Sequence, residues 1–176
     1  MSQTRVKAKG RREGGIFIPF PARVLEHKNF INLGAKATRL LIDLCSQIRF
    51  GKSNGTINNG DLCTTASVMK NRGWSSHETL EYARDELEYY GFIKKTRIGG
   101  RKQCHLYAIT WWAIDECNGK LDSNATKTPS NEWKEEKPKW IRPKRKQKNK
   151  LDSVPRFCTK PAPYNGLNNM VLVNND

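Results

Sequence analysis

Between residues 64 and 111 the apolar spacing changes from a helical period of 3.6 to a strand period of 2, with a glycine at the change. Leu80, Ala83, Leu87 and Tyr90 recur at i, i+3, i+7 and i+10, one helical stripe that stops at Gly91. Ser75-Ser76-His77-Glu78 precedes it and predicts a capping box, with Ser75 bonding forward and Glu78 bonding back. A shorter helix is expected over 64–71, capped by Thr64 or Thr65, with Ala66 and Met69 facing inwards. Arg72-Gly73-Trp74 makes the turn between the two helices. After Gly91, residues 92–98 read as one strand, Gly99-Gly100 as a turn and 103–111 as the return strand. Leu106, Ala108 and Thr110 share one face of that strand; Tyr107, Ile109 and Trp111 share the other. A hairpin directly after such a helix pair is a wing. The expected fold is therefore α+β, a winged helix-turn-helix with a three-helix core and a β-hairpin.

The third helix is expected over 34–49. Ala37, Leu40, Leu41, Leu44, Cys45 and Ile48 form its apolar stripe, with Lys36, Arg39, Asp43 and Gln47 on the other faces. This helix can complete the core or pair two copies into a homodimer. Upstream, residues 16–21 alternate and stop at prolines, predicting an extended piece followed by a turn or brief helix. Val24, Leu25, Phe30, Ile31 and Leu33 offer the first core contacts. Apolar periodicity ends at Asn118, so the domain is expected over 16–117, between a disordered arm at 1–15 and a mostly disordered tail at 118–176.

The chain has 176 residues and a net charge of +15, which fits DNA, RNA or an anionic membrane equally well. Its distribution is more informative. Residues 1–15 carry +4 and residues 123–176 carry +7, leaving +4 for the candidate domain. Solvated basic tails account for most of the excess. The five cysteines show no C-x-x-C pair, and no apolar run suits a signal or a membrane span. A reduced, cytoplasmic, nucleoid-associated protein with free thiols is expected.

The succession Asn58-Asn59-Gly60-Asp61-Leu62, Gly73-Trp74-Ser75-Ser76, Leu80…Ala83…Glu86-Leu87…Gly91-Phe92-Ile93 resembles winged-helix proteins carried on bacterial phages, plasmids and integrated elements. Tyr107-Ala108-Ile109-Thr110-Trp111…Ile114-Asp115 is similar to the same group, and the likeness covers residues 16–117. It implies the DNA-binding module of a mobile-element replication initiator or regulator. Its E-L-x-x-x-G-F-I junction is shared by winged helices of many functions, so it bears on fold more than on role.

A helix entering the major groove reads base edges with its first turns. Ser76, His77, Thr79 and Tyr82 lie off the buried stripe in the N-terminal half of the second helix. Ser76 and Thr79 suit bases or phosphates, His77 suits either, and Tyr82 suits the backbone. Glu78, Glu81, Asp85, Glu86 and Glu88 oppose a helix lying flat on phosphates, so entry by the N-terminal end is expected. For Ser75 and Glu78 the simpler role is capping.

Arg72 in the turn and Lys94, Lys95, Arg97, Arg101 and Lys102 in the wing are candidate phosphate contacts, and no acid stands among the wing cations in sequence. A solubilising edge hairpin is the alternative. Lys7, Lys9, Arg11 and Arg12 form a candidate minor-groove arm. Trp74, Trp111 and Trp112 are placed to anchor the core, whereas Trp133 and Trp140, amid Lys and Pro, are placed to meet a partner.

Catalysis is not expected, nor a cofactor or metal. Phe50-Gly51-Lys52-Ser53 ends like a P-loop, but Ser46 replaces the first glycine and a helix precedes it. Cys104-His105 with Cys63 or Cys117 lacks zinc spacing, and His27, His77 and His105 are scattered. The expected function is sequence-specific binding of double-stranded DNA in replication initiation or transcription, with the C-terminal tail meeting the corresponding machinery. The alternative is a basic RNA-binding or architectural protein that uses its tails, with the folded part as a protein-interaction module.

Overall fold

The computed structural model describes residues 17–51, 55–101 and 103–143. The expected arm with Lys7, Lys9, Arg11 and Arg12, the wing residue Lys102 and the basic run 144–150 lie outside the described residues. Two four-residue helices, α1 (Ala22–Leu25) and α2 (Lys28–Ile31), lead into α3 (Ala35–Cys45). Then come β1 (Leu62–Cys63), α4 (Ala66–Lys70), α5 (His77–Tyr89), β2 (Ile93–Arg97) and β3 (Leu106–Ile109). The fold is mixed α+β. Its three strands form one antiparallel sheet in the order β1-β3-β2. No described helix is long and apolar enough to cross a membrane.

Helix α3 buries Ala37, Leu40, Leu41, Leu44 and Cys45 and packs on α5, and Ile48, just past its end, is buried with them. The helix stops at Cys45 rather than reaching 49, because Asn58 takes over the backbone groups beyond it. The Asn58 amide donates to Gln47 O (2.9 Å) and accepts from Arg49 N (2.7 Å). Among the early apolar residues Val24 is buried and Phe30 and Leu33 pack on the core. Leu25 and Ile31 instead face outwards, since helices of one turn each present only one face inwards.

Helix α5 buries Leu80, Ala83 and Leu87 and ends before Gly91 at φ +72°. Its cap lies one residue later than the capping box predicts. Ser76 is the N-cap and its hydroxyl accepts from Thr79 N (3.2 Å), while Glu78 points to Arg142. The shift follows from Trp74, which is buried and donates from Nε1 to Asp43 Oδ2 on α3 (2.7 Å). With Trp74 pinned there, the chain stays extended through Ser76 (φ −107°, ψ 117°) before the helix begins. In α4 only Met69 is buried; Ala66 is exposed, because a five-residue helix has one inward position.

Strands β2 and β3 pair Ile93 with Ile109 and Lys95 with Tyr107, then slip by one at Thr96 so that Arg97 opposes Leu106. All four residues of the central strand β3 are buried. Trp74 and Trp111 lie in the core, with Trp112 packed on it.

Residues 118–143 differ from the expected disordered tail. Asp122 N and Ser123 N donate to Thr96 O (2.9 and 3.2 Å), and Asn131 N donates to Thr110 O (2.9 Å). Trp133 is only 5% exposed, and Trp140 packs on the core. Both are therefore structural anchors rather than free partner contacts. The fully buried Asn29 fixes this strap, donating to Trp133 O (2.9 Å) and Glu135 O (2.7 Å) and accepting from Lys137 N (3.0 Å). A Cβ on Gly91 would lie 2.8 Å from Glu132 O, so glycine serves both the positive φ and the strap's close approach.

Candidate nucleic-acid interface

The α4–α5 turn is built from α3 outwards. Trp74 bonds to Asp43, and Gly73 takes φ +80°. Arg39 donates to Arg72 O (2.6 Å) and stacks over the Trp74 ring at 5.3 Å. Arg72 itself turns back onto α3, where Nη1 bonds the Ser46 hydroxyl and lies 3.4 Å from Asp43 Oδ1. The half-buried guanidinium holds the turn to α3 rather than standing free as a phosphate contact.

His77, the first residue of α5, is exposed, with Nδ1 3.7 Å from Glu81 Oε1. Two clefts meet at it. One, of about 430 Å³, lies between α4, the turn and α5 and is lined by Lys70, Trp74, Ser75, Ser76 and His77 among others. The other, of about 300 Å³, lies between α5 and the hairpin and is lined by Thr65, His77, Arg84, Gly100, Gln103 and His105 among others. Ser76 and His77 thus share the first cleft, and His77 also faces the hairpin. Thr79 and Tyr82 lie on the opposite flank of α5, in a groove of about 250 Å³ shared with Lys36, Trp140 and Arg142. Tyr82 was expected to reach the DNA backbone; its ring is covered by the Arg142 guanidinium at 3.7 Å and meets Trp140 at 6.5 Å.

The hairpin cations divide into two groups. Lys94 pairs with Glu132 (2.6 Å), an acid 38 residues on, and Lys95 with Glu88 (3.5 Å) at the end of α5. Arg97 donates to Cys104 O (3.2 Å) and Lys120 O (3.3 Å). These three brace the hairpin base. Arg101 stands exposed towards the tip.

The acids of α5 also have defined neighbours. Glu86 is buried and accepts from Gly34 N (2.7 Å), tying α5 to the start of α3. Glu81, Asp85 and Glu88 surround Arg84 at 3.8–4.0 Å, and Glu78 meets Arg142 at 3.3 Å. Such pairs are partly solvated and each contributes only tenths of a kcal/mol, but together they offset the negative face of the helix.

Four residues at these clefts are not legible as contacts in sequence: Lys70, Arg84, His105 and Arg142. Arg84 follows His77 by two helical turns and so shares its side, a signal that the surrounding acids mask. His105 Nδ1 accepts from Gly99 N (2.9 Å), which leaves Nε2 as the ring nitrogen that can donate. Nearby, Cys63 Sγ and Cys104 Sγ lie 3.6 Å apart, and burial pushes the Cys104 thiol above its ordinary range. Among the described residues no three His, Cys, Asp or Glu side chains are grouped to hold a metal. No protein-family model, no curated protein and no solved structure matches this chain.

Proposed function

We propose that this chain is a winged helix-turn-helix protein that binds double-stranded DNA in a sequence-specific way, and that it acts for a mobile element at a replication origin or a promoter. The observation that carries this reading is the junction at His77, where the N-terminal end of α5 meets α4 on one side and the hairpin on the other. The order α3, β1, α4, α5, β2, β3, with β1 on the far side of β3, supports a winged arrangement. Ser76 at the N-cap and His77 and Thr79 in the first turn of α5 are within reach of base edges when that end enters the major groove. Arg101 on the hairpin, with Lys102 next to it in sequence, then meets phosphates or the minor groove, positioning the protein without specifying sequence. The outer acids of α5 favour end-on entry, because a helix lying flat would bring them against phosphate.

Binding of the full chain to duplexes, followed by anisotropy across a salt series, tests this. Arg101→Ala with Lys102→Ala is expected to weaken binding to every duplex and to lower the salt slope by about 2. Thr79→Ala or His77→Ala is expected to change which sequence is preferred while leaving that slope in place. If both sets leave affinity and preference untouched while removal of residues 144–176 abolishes binding, the folded part is an interaction module and the tail is the contact.

A further inference from the structure

Helix α5 has two flanks, and the hairpin covers only one of them. The other is covered by the strap, which runs antiparallel to the helix. Glu132 pairs with Lys94 beside the C-terminal end of α5. Lys137 Nζ then donates to Tyr89 O (2.7 Å), and Trp140 N donates to the Tyr90 hydroxyl (2.8 Å). The strap reaches the first turns at Arg142. There the guanidinium lies flat over Tyr82, 3.7 Å from the ring centroid, and bonds Glu78 Oε1 at 3.3 Å. Tyr82 and Glu78 are four residues apart on one side of the helix. The Arg142 side chain is still 60% exposed, so its outer face and several N–H donors are open to solvent. Lys36 lines the same groove from α3 and is exposed as well.

We infer that Arg142 is a DNA-backbone contact, held by the Tyr82 ring on the flank of α5 opposite the hairpin. This rests on the DNA-binding reading above. A helix that enters the major groove by its end has a phosphodiester strand on each side. The hairpin with Arg101 serves one strand, and Arg142 serves the other. An arginine stacked on an aromatic ring and fixed by one carboxylate has fewer orientations to lose on meeting a phosphate than a free side chain has. Pairing with Arg142 also offsets Glu78, the acid nearest the entering end. Tyr82 then acts through its ring and not through its hydroxyl.

The test is duplex binding by the full chain across a salt series. Arg142→Ala is expected to weaken binding about five-fold near 150 mM salt and to lower the slope by about 0.9, one phosphate contact. Tyr82→Phe keeps the shelf and should bind like the unaltered protein, whereas Tyr82→Ala should lose nearly as much as Arg142→Ala. The double variant should lose little more than either alone. Thermal melts of each variant verify that the fold is retained. If Arg142→Ala keeps full affinity and slope while Arg101→Ala with Lys102→Ala loses both, this inference is overturned and the DNA-binding reading stands. If Tyr82→Phe loses as much as Tyr82→Ala, the hydroxyl is the contact and the shelf is refuted. If the unaltered chain binds no duplex, both fail together.

Discussion

Asn59→Ala lowers the stability of the fold by about 3–5 kcal/mol, enough to drop the melting temperature by about 10–20 °C. The side chain is fully buried at the meeting point of three segments. Its amide nitrogen donates to Ile109 O (3.0 Å), Trp112 O (3.2 Å) and Ala113 O (2.8 Å), and its oxygen accepts from Ile109 N (2.8 Å). Truncation leaves Ile109 N and the Trp112 and Ala113 carbonyls without their partner in a place closed to bulk water, while Ile109 O keeps Trp112 N (3.4 Å). Each such orphan costs about 1–3 kcal/mol, partly recovered where water enters the cavity. Asn59→Asp is expected to cost still more, because a carboxylate has no donor to offer three carbonyls and brings a charge into the core. Chemical denaturation followed by tryptophan fluorescence measures both. An alanine variant within 1 kcal/mol of the unaltered protein would remove Asn59 as the tie between the α3 exit and the end of β3.

Trp133→Ala is expected to cost about 3–5 kcal/mol, the range for a buried aromatic truncated to a methyl group. Trp133 meets His27 edge-on at 5.2 Å, and its backbone carbonyl is held by Asn29. Its Nε1 is buried with no hydrogen-bond partner among the described residues. Trp133→Phe keeps the aromatic contact and removes that unmatched donor, so it should cost about 1 kcal/mol or less. The contrast separates packing from indole hydrogen bonding. Equal losses for Ala and Phe would mean that the indole nitrogen, and not the ring, holds the strap.

These two positions also mark how far the sequence alone could be read. The stripes of α3 and α5 are legible because local periodicity and burial agree at Ala37, Leu40, Leu41, Leu44 and Cys45 and at Leu80, Ala83, Leu87 and Tyr90; Glu86, buried by its bond to Gly34 N, is the position that periodicity misses. The Gly91 stop is legible for the same local reason. Trp133 and Trp140 are not, since each stands alone among Lys, Glu and Pro and packs against residues distant in sequence, Trp133 on His27 and Trp140 on Tyr82. The strap therefore reads as a tail. The Asn58-Asn59-Gly60 cluster reads as a turn, and nothing local shows that both asparagine side chains reach inwards.

At the candidate site the turn and the exposed end of α5 follow from the pattern. The pairing of Lys94 with Glu132 and of Lys95 with Glu88 does not, because those acids come from other elements. Charge counted along the chain overstates the free charge of the hairpin. Arg101, towards its tip, is exposed.

Selection of duplexes from a random-sequence pool by the full chain, at moderate salt and with structured RNA as competitor, tests the central claim most directly. Recovery of one recurring motif is expected, bound about a thousand-fold or more tightly than scrambled duplex. Loss of the motif's preference in His77→Ala or Thr79→Ala would assign its reading to the start of α5. A pool with no motif, bound no better than RNA and released in step with rising salt, would contradict sequence-specific recognition by this fold.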